Sequence, residues 1–264
     1  MTTGSIGMGV QSETERNKFE SELKRIIEAS NNARLMLRVI GSLAFQMHCP
    51  KYGYLQAAMG RAYTDIDFAA YRKQSREIKS LMAGLGYVEN REVFIISEGN
   101  RAIFENTSNH LHVDVFFDKL DFCHIVSWDG RLEVDAPTIP LSEMLLEKMQ
   151  IVKINEKDII DTIMVLLEHP LGDNDKEMIN IARIAELCAK DWGLWRTMTM
   201  NLEKVGQLAR GYNQLPEDHK TMVVSQVNQA LARIESEPKS MTWRMRGRVG
   251  DRVKWYKDVD EVHE

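Results

Sequence analysis

The chain of 264 residues lacks several features that would assign it to a broad class at once. It has no apolar run of the roughly 20 residues that a membrane-spanning helix needs, and its first residues show neither the basic nor the apolar region of a secretory signal. Its three cysteines, Cys49, Cys123 and Cys188, form no C-x-x-C pair, so they favour reduced thiols over a zinc site. A net charge of −5 argues against a surface built to coat nucleic acid. We therefore expect a cytoplasmic protein without membrane contacts.

The pattern of apolar residues divides the chain into three parts. Residues 1–14 are small and polar and are expected to be disordered. Residues 15–140 mix helical and strand-like patterns, whereas residues 141–264 carry apolar residues at three- and four-residue spacing with no convincing strand. The predicted fold class is α/β of the α+β kind: a mixed sheet flanked by helices, followed by an all-helical C-terminal domain.

The individual elements follow from periodicity and from glycine, proline and asparagine breaks. Strands are expected at residues 35–40, 63–71, 93–96, 101–106, 111–117 and near 131–134, with a hairpin joining the third and fourth. Helices are expected at residues 15–32, from Gly41 onward, and at 74–85, 141–154, 156–168, 176–195 and 217–234. Residues 50–60 fit either a loop or a short helix.

Asp65 and Asp67 alternate along the strand expected at residues 63–71. Side chains alternate along a strand, so both carboxylates lie on one face while Ile66 and Phe68 lie on the other. Two such carboxylates repel each other unless a cation lies between them. Mg²⁺ binds in this way, through one or two carboxylates plus substrate phosphates. An exposed polar strand edge would show the same pattern, so the two aspartates alone do not distinguish a metal site from such an edge.

A third acid, Asp114, shares one face of the strand expected at residues 111–117 with His112 and Phe116. If this strand pairs beside residues 63–71, three carboxylates converge. That arrangement predicts two metal ions, one that activates the attacking oxygen and one that clamps the phosphates. Asp114 could also accept the proton of an attacking hydroxyl. His112 is more typical of a hydrogen-bonding residue than of a catalytic one.

Gly41-Ser42 stands between a buried strand and a helix. Glycine lets the backbone approach a phosphate, Ser42 offers a hydroxyl, and the helix N-terminus presents free N–H groups. By itself the dipeptide is more typical of a structural turn. Its place upstream of Asp65 is what favours a triphosphate site.

These residues together resemble the nucleotidyltransferase superfamily of the DNA polymerase β type. Within it, the chain is most similar to the abortive-infection nucleotidyltransferases, the toxin halves of some bacterial toxin–antitoxin pairs. The narrower likeness rests on Arg61-Ala62-Tyr63-Thr64-Asp65-Ile66-Asp67, on Thr138-Ile139-Pro140-Leu141-Ser142 with Lys148, and on Lys157-Asp158-Ile159-Ile160-Asp161. It covers roughly residues 35–168. Two departures are Gly-Ser where the family often has Gly-Gly, and a longer interval between Gly41 and Asp65.

The resemblance implies a nucleotidyltransferase-like sheet and transfer of a nucleoside monophosphate from an NTP. Two Mg²⁺ ions, with Mn²⁺ as an alternative, would be held by Asp65, Asp67 and Asp114. The nucleotide would be bound by Gly41, Ser42, Arg61, Lys148, Asp158 and Asp161. Alternatives for these residues are a flanking turn for Arg61, a solvated helix face for Lys148, and capping or pairing with Lys157 for the two aspartates.

The acceptor stays open among RNA, a protein side chain and a small molecule such as an aminoglycoside, and a toxin role would imply an antitoxin partner. Two other classes remain: a non-catalytic nucleotide- or partner-binding protein with this fold, and a phosphohydrolase that uses water as the acceptor. The segment 243–257 places cations between aromatic residues. That composition fits RNA contact, and it equally fits a helix whose aromatic residues pack on the core.

Overall fold

A computed structural model describes residues 11–259, and its sheet-containing half is built around five strands. The strands are β1 (Leu37–Ile40), β2 (Ile66–Ala70), β3 (Tyr87–Asn90), β4 (Arg101–Asn106) and β5 (Leu111–Phe117). Their order across the sheet is β1-β2-β5-β4-β3. Strands β2 and β5 run parallel, and the other three neighbouring pairs are antiparallel. The mixed sheet predicted from the sequence is therefore confirmed.

Helices flank this sheet and dominate the rest of the chain. Around the sheet lie α1 (Glu13–Asn32), α2 (Gly41–His48), α3 (Tyr54–Ala58), α4 (Ser75–Gly84) and α5 (Arg91–Ile96). The second half contains α6 (Leu141–Met149), α7 (Glu156–Glu168), α8 (Ile181–Lys190), α9 (Trp192–Gly211), α10 (Glu217–Ser236) and α11 (Met241–Gly247). Two small ribbons complete the fold: β6 (Lys119–Asp121) with β7 (Ile125–Ser127), and β8 (Leu171–Gly172) with β9 (Ile179–Asn180).

Alternation along β2 and β5 positions the polar residues of the sheet. Ile66 and Phe68 in β2, and Val113 and Val115 in β5, are fully buried. They belong to one apolar core that also includes side chains of α6, α7 and the later helices. Burying these side chains fixes the register of both strands, because a shift by one residue would turn the apolar set toward the other face.

The strand predicted at residues 93–96 is wrong, because this segment forms α5. The side chain of Asn90 accepts hydrogen bonds from the N–H groups of Glu92 and Val93 and so caps the helix. Ile95 and Ile96 are largely exposed instead of buried in a sheet. The partner of β4 is β3, which the sequence pattern did not predict.

Other boundaries also differ from expectation. Residues 131–134 form turns, not a strand, and the helix expected at 141–154 ends at Met149. The segment 176–195 is divided between β9, α8 and the start of α9, since Asp191 caps α9 through the N–H groups of Gly193 and Leu194. The ribbon of β8 and β9 also contradicts the expectation of no strand after residue 141.

Residues 13 and 14, which were expected to be disordered, belong to the first helix. Helix α1 begins at Glu13, where Ser12 and Glu15 form a capping box. The rest of the predicted disordered segment, residues 1–10, lies outside the described residues. Between residues 11 and 259, no helix is both long and apolar enough to cross a membrane. All three cysteines are buried and unpaired.

The hydrogen bonds of Gln226 in α10 lead to a prediction about the stability of the helical half. Its Nε2 donates to the carbonyls of Leu166 and His169 at 2.8 and 2.9 Å, and its Oε1 accepts from the Leu171 N–H at 3.2 Å. Gln226→Ala removes these bonds and leaves buried backbone groups unsatisfied, so we expect a loss of about 1–3 kcal/mol in the free energy of unfolding. Urea denaturation measures it. The control Gln229→Ala, exposed on the same helix, should stay within about 0.5 kcal/mol of wild type; equal effects would contradict the prediction.

Candidate functional site

The parallel pairing of β2 and β5 places Asp67 directly opposite Asp114. On its other side, Asp67 pairs with Ile40, the last residue of β1. Asp65 lies one residue before β2 begins, where the Thr64 hydroxyl donates to its carboxylate at 3.0 Å. The negative charge of Asp65 raises the pKa of Asp67. The three acids singled out in the sequence therefore lie in one cluster, although β2 is shorter than the strand predicted at residues 63–71.

Asp67 lies in an unfavourable electrostatic position within this cluster. Burial raises its pKa well above the usual range, and the charges of Asp65, Asp114 and Glu147 raise it further, while Lys148 opposes them. Each neighbouring carboxylate disfavours the ionised form of Asp67. A cation bound at Asp67 would relieve this repulsion.

Asp114 already has a cationic neighbour, Arg101 at the start of β4. The Nε of Arg101 donates to Asp114 Oδ2 at 2.7 Å, and one of its terminal nitrogens contacts the same oxygen. Burial opposes the charge of Arg101, but the bond to Asp114 raises its pKa above the usual range. The sequence pattern did not single out Arg101, because its role depends on which strand pairs with β5.

The cluster has the chemistry of a divalent-cation site but not a closed set of ligands. Within the part of the chain that the structure describes, no group of three histidine, cysteine, aspartate or glutamate side chains is arranged so that it could hold a metal ion. Carboxylate oxygens are nevertheless what Mg²⁺ prefers, and the repulsion on Asp67 is what such an ion would relieve. Because Arg101 occupies Asp114, Asp65 and Asp67 would be the first ligands of such an ion. Asp114 could join them only if Arg101 shifts.

Gly41-Ser42 opens α2 directly beside this cluster, as the sequence predicts. Gly41 has a φ of +69°, and a Cβ atom at this position would collide with the Asp67 carboxylate. Both reasons favour glycine. The Gly41 N–H donates to Glu147 Oε2 at 3.2 Å, and Ser42 is buried in the first turn of α2. Glu147, which the sequence pattern did not predict, thus occupies a backbone donor that a phosphate would use.

Lys148, Asp158 and Asp161 come together in a buried ionic network next to this turn. The Lys148 ammonium lies 3.3 Å from Glu147 Oε1, 3.3 Å from Asp158 Oδ1 and 3.5 Å from Asp161 Oδ2. Burial opposes the charge, but these carboxylates raise the pKa of Lys148 well above its usual range. The alternative of a solvated lysine is wrong, because Lys148 is only 7% exposed.

Arg61 joins the same network through Asp161. Its Nε lies 3.6 Å from Asp161 Oδ2, and Gln56 Nε2 donates to Asp161 Oδ1 at 2.8 Å. Gln56 Nε2 also donates to the Ser42 carbonyl at 3.1 Å. The network therefore connects Arg61 and Asp161 to the start of α2. Gln56 is a further residue of this region that the sequence did not mark.

The aromatic residues of the basic C-terminal segment pack against α9. Trp255 and Trp243 pack edgewise on Trp192 and Trp195, with ring centroids 6.1 and 5.0 Å apart. The guanidinium of Arg246 lies 4.5 Å from the centre of the Trp192 ring. The alternative in which these aromatic residues pack on the protein itself is confirmed.

No protein-family model, curated protein or solved structure matches this chain. The resemblance to the nucleotidyltransferases therefore stays a prediction.

Asp67→Asn tests the electrostatic account of the cluster. A pKa that is higher in the folded than in the unfolded chain means that the native state binds the proton more tightly, so wild type gains stability as pH falls from about 7 toward about 4. The asparagine variant lacks this charge. In EDTA at about pH 7 we expect it to be at least as stable as wild type in urea, with its advantage shrinking as pH falls. A variant less stable than wild type at about pH 7 would contradict the account.

Lys148→Met tests the buried ionic network. Removing the ammonium leaves the carboxylates of Glu147, Asp158 and Asp161 together in a buried site, so we expect a loss of about 3–5 kcal/mol in the free energy of unfolding. Chemical denaturation measures the loss. The matched control is Lys153→Met, since Lys153 is exposed just beyond the same helix. Similar stabilities for the two variants would show that the network contributes little.

Proposed function

We propose that the protein is a Mg²⁺-dependent nucleotidyltransferase that moves a nucleoside monophosphate from an NTP to a hydroxyl or phosphate acceptor. The observation that carries this proposal is the pairing of Asp67 with Asp114 across two parallel strands, with Asp65 just before the first. A helix opened by glycine begins beside these carboxylates. Acid cluster and helix N-terminus together suit a metal-bound triphosphate.

The proposed reaction breaks the phosphoanhydride bond between the α- and β-phosphates of the NTP. It forms a phosphoester bond to a hydroxyl acceptor, or a new phosphoanhydride bond to a phosphate acceptor. An oxygen of the acceptor attacks the α-phosphorus of the NTP, the bond from that phosphorus to the bridging oxygen breaks, and pyrophosphate leaves. When bound by Asp65 and Asp67, Mg²⁺ would neutralise phosphate charge and activate the attacking oxygen. Asp114 orients the acceptor hydroxyl and takes its proton.

The groups around α2 hold the triphosphate in this proposal. Gly41 and Ser42 supply the first-turn N–H groups and a hydroxyl, and Lys148 supplies positive charge. Glu147 must release the Gly41 N–H when phosphate binds, because both are anions that compete for the same donor. Arg61, Asp158 and Asp161 hold Lys148 in place through the buried network.

A non-catalytic nucleotide- or partner-binding protein is the second candidate, and one observation favours it. Arg101 neutralises Asp114 without any metal, which would suit a site that binds without turnover. Two points argue against this candidate. All three acids are present, although the ionised form of Asp67 is disfavoured by burial and by its neighbours. Carboxylates with such perturbed pKa values concentrate at functional sites. A toxin role with an antitoxin partner is the narrower form of the first proposal. It rests on the sequence resemblance alone.

Transfer of label from NTPs radiolabelled at the α-phosphate tests the proposal. Purified protein, Mg²⁺ and fractions of cellular RNA, protein or small molecules serve as the reaction mixture, and pyrophosphate release is followed in parallel. Asp65→Asn should lower incorporation about 100-fold or more, because losing a metal ligand removes several kcal/mol of stabilisation. Asp129→Asn, exposed at a turn, is the control and should match wild type. Equal incorporation by wild type and Asp65→Asn would refute the metal assignment, and nucleotide binding without pyrophosphate release would favour the second candidate.

A further inference from the structure

A cavity of about 330 Å³ lies beside the acidic cluster. Arg101 and Phe116 of the sheet form one side of it, Lys119 and Phe122 from the region of β6 form another, and Lys257 of the C-terminal segment forms a third. This volume lies within the range of about 300–1,000 Å³ typical of small-molecule sites. The reaction proposed above does not by itself assign a ligand to this cavity.

Arg101 connects this cavity to Asp114. Its guanidinium binds the Asp114 carboxylate and also lies 5.2 Å from the centre of the Phe116 ring. Phe116 follows Asp114 by two positions on the same strand face, which places their Cα atoms about 7 Å apart. A ligand that contacts Phe116 can therefore extend a hydroxyl toward Asp114.

The cavity offers the partly exposed ring of Phe122 to a planar ligand, with the buried Phe116 behind it. Phe116 and Phe122 meet edge to face, with ring centroids 5.5 Å apart. Aromatic rings pack favourably on other planar rings, and stacking of a nucleic-acid base on an aromatic side chain is worth about 1–3 kcal/mol.

The same cavity carries a local excess of positive charge. Lys119 lies 2.9 Å from one oxygen of Asp121, and Lys257 lies 2.5 Å from the other. Burial opposes ionisation of Asp121, yet its bonds to the two lysines hold its pKa below the usual range. Two lysines facing one ionised acid leave a net positive charge. Asp258, which also lines the cavity, is itself paired with Lys254.

The C-terminal wall of the cavity is held in place by specific bonds. The Lys257 N–H donates to the Cys123 carbonyl at 3.1 Å, and the Trp255 indole donates to Thr197 Oγ1 at 3.0 Å. The aromatic residues of this segment thus anchor it to the helical half, while Lys257 faces the sheet. This arrangement gives the basic and aromatic segment a role in shaping the cavity.

We propose that this cavity binds the acceptor of the transfer, and that the acceptor presents a nucleoside phosphate. Its base packs on Phe122 beside Phe116, its phosphate lies near Lys119 and Lys257, and its ribose hydroxyl faces Asp114. The inference rests on the proposed nucleotidyltransferase function. A free nucleotide and the end of an RNA strand share this chemistry.

Calorimetry in EDTA tests the binding without metal-assisted contacts at the acids. The probes are the common nucleoside 5′-monophosphates, adenosine, ribose 5-phosphate and a short single-stranded RNA. We expect a monophosphate to bind more tightly than adenosine or ribose 5-phosphate. Lys119→Met and Phe122→Leu should each weaken its binding about tenfold. Lys190→Met, an exposed lysine on α8, should leave it unchanged. Lys257→Met, at a more exposed position, replaces Lys119→Met if the latter does not fold.

Each result bears on the inference. No monophosphate binding, or binding that the Lys119 and Phe122 variants leave unchanged, overturns it. If the RNA binds more tightly than the monophosphates, and the Lys119 and Phe122 variants weaken its binding as well, the acceptor is the end of an RNA strand. If the monophosphates bind more tightly than the RNA, the acceptor is a free nucleotide. If the Lys119 and Phe122 variants transfer the label as well as wild type does, the cavity is not the acceptor site, and the proposed reaction still stands. Variant-sensitive monophosphate binding without any transfer by wild type refutes the proposed reaction and leaves the cavity as a nucleotide-binding site.

Discussion

Repulsion between neighbouring carboxylates is the constraint on which the rest of this site depends. The parallel pairing of β2 and β5 sets Asp67 beside Asp114, with Asp65 adjoining and Glu147 close by. Such a cluster is unstable unless positive charge surrounds it. Arg101 supplies that charge on one side and Lys148 on the other, and glycine at position 41 leaves room for the Asp67 carboxylate. Fold and charge compensation are therefore parts of one arrangement.

The two cations have different surroundings, which fits different roles. Lys148 is enclosed by Glu147, Asp158 and Asp161 and holds the region around α2 together. Arg101 is more accessible and touches both the acid cluster and the adjoining cavity. A divalent ion at this site would compete with Arg101 for Asp114, since both are attracted to the same carboxylate. In the proposed enzyme, filling the metal site and opening the acceptor side would then be coupled through Arg101.

Local patterns predicted the parts of the site that depend on local rules. Alternation placed Asp114 opposite the apolar face of its strand, and the strand–Gly–Ser–helix sequence located the start of α2. Arg101 was missed because its role depends on the pairing of β4 with β5, which local patterns do not show. Glu147 was missed because its partner Gly41 lies far away along the chain. Val93–Ile96 is rich in β-branched residues, yet the Asn90 cap and the exposure of Ile95 and Ile96 accompany a helix. The order of the strands is set by packing of the whole domain. The same holds for the parallel pairing of β2 with β5, which several other elements separate along the chain.

The central claim is that Asp65 and Asp67 hold a divalent ion with a triphosphate at the start of α2. A crystal structure with Mn²⁺ and an NTP analogue that cannot be cleaved at the α-phosphate tests it most directly, because manganese is located by its anomalous scattering. The account predicts an anomalous peak in contact with Asp65, Asp67 and the phosphates, with the triphosphate beside Gly41 and Ser42. A bound nucleotide elsewhere, or no manganese at these carboxylates while Arg101 remains on Asp114, would contradict it.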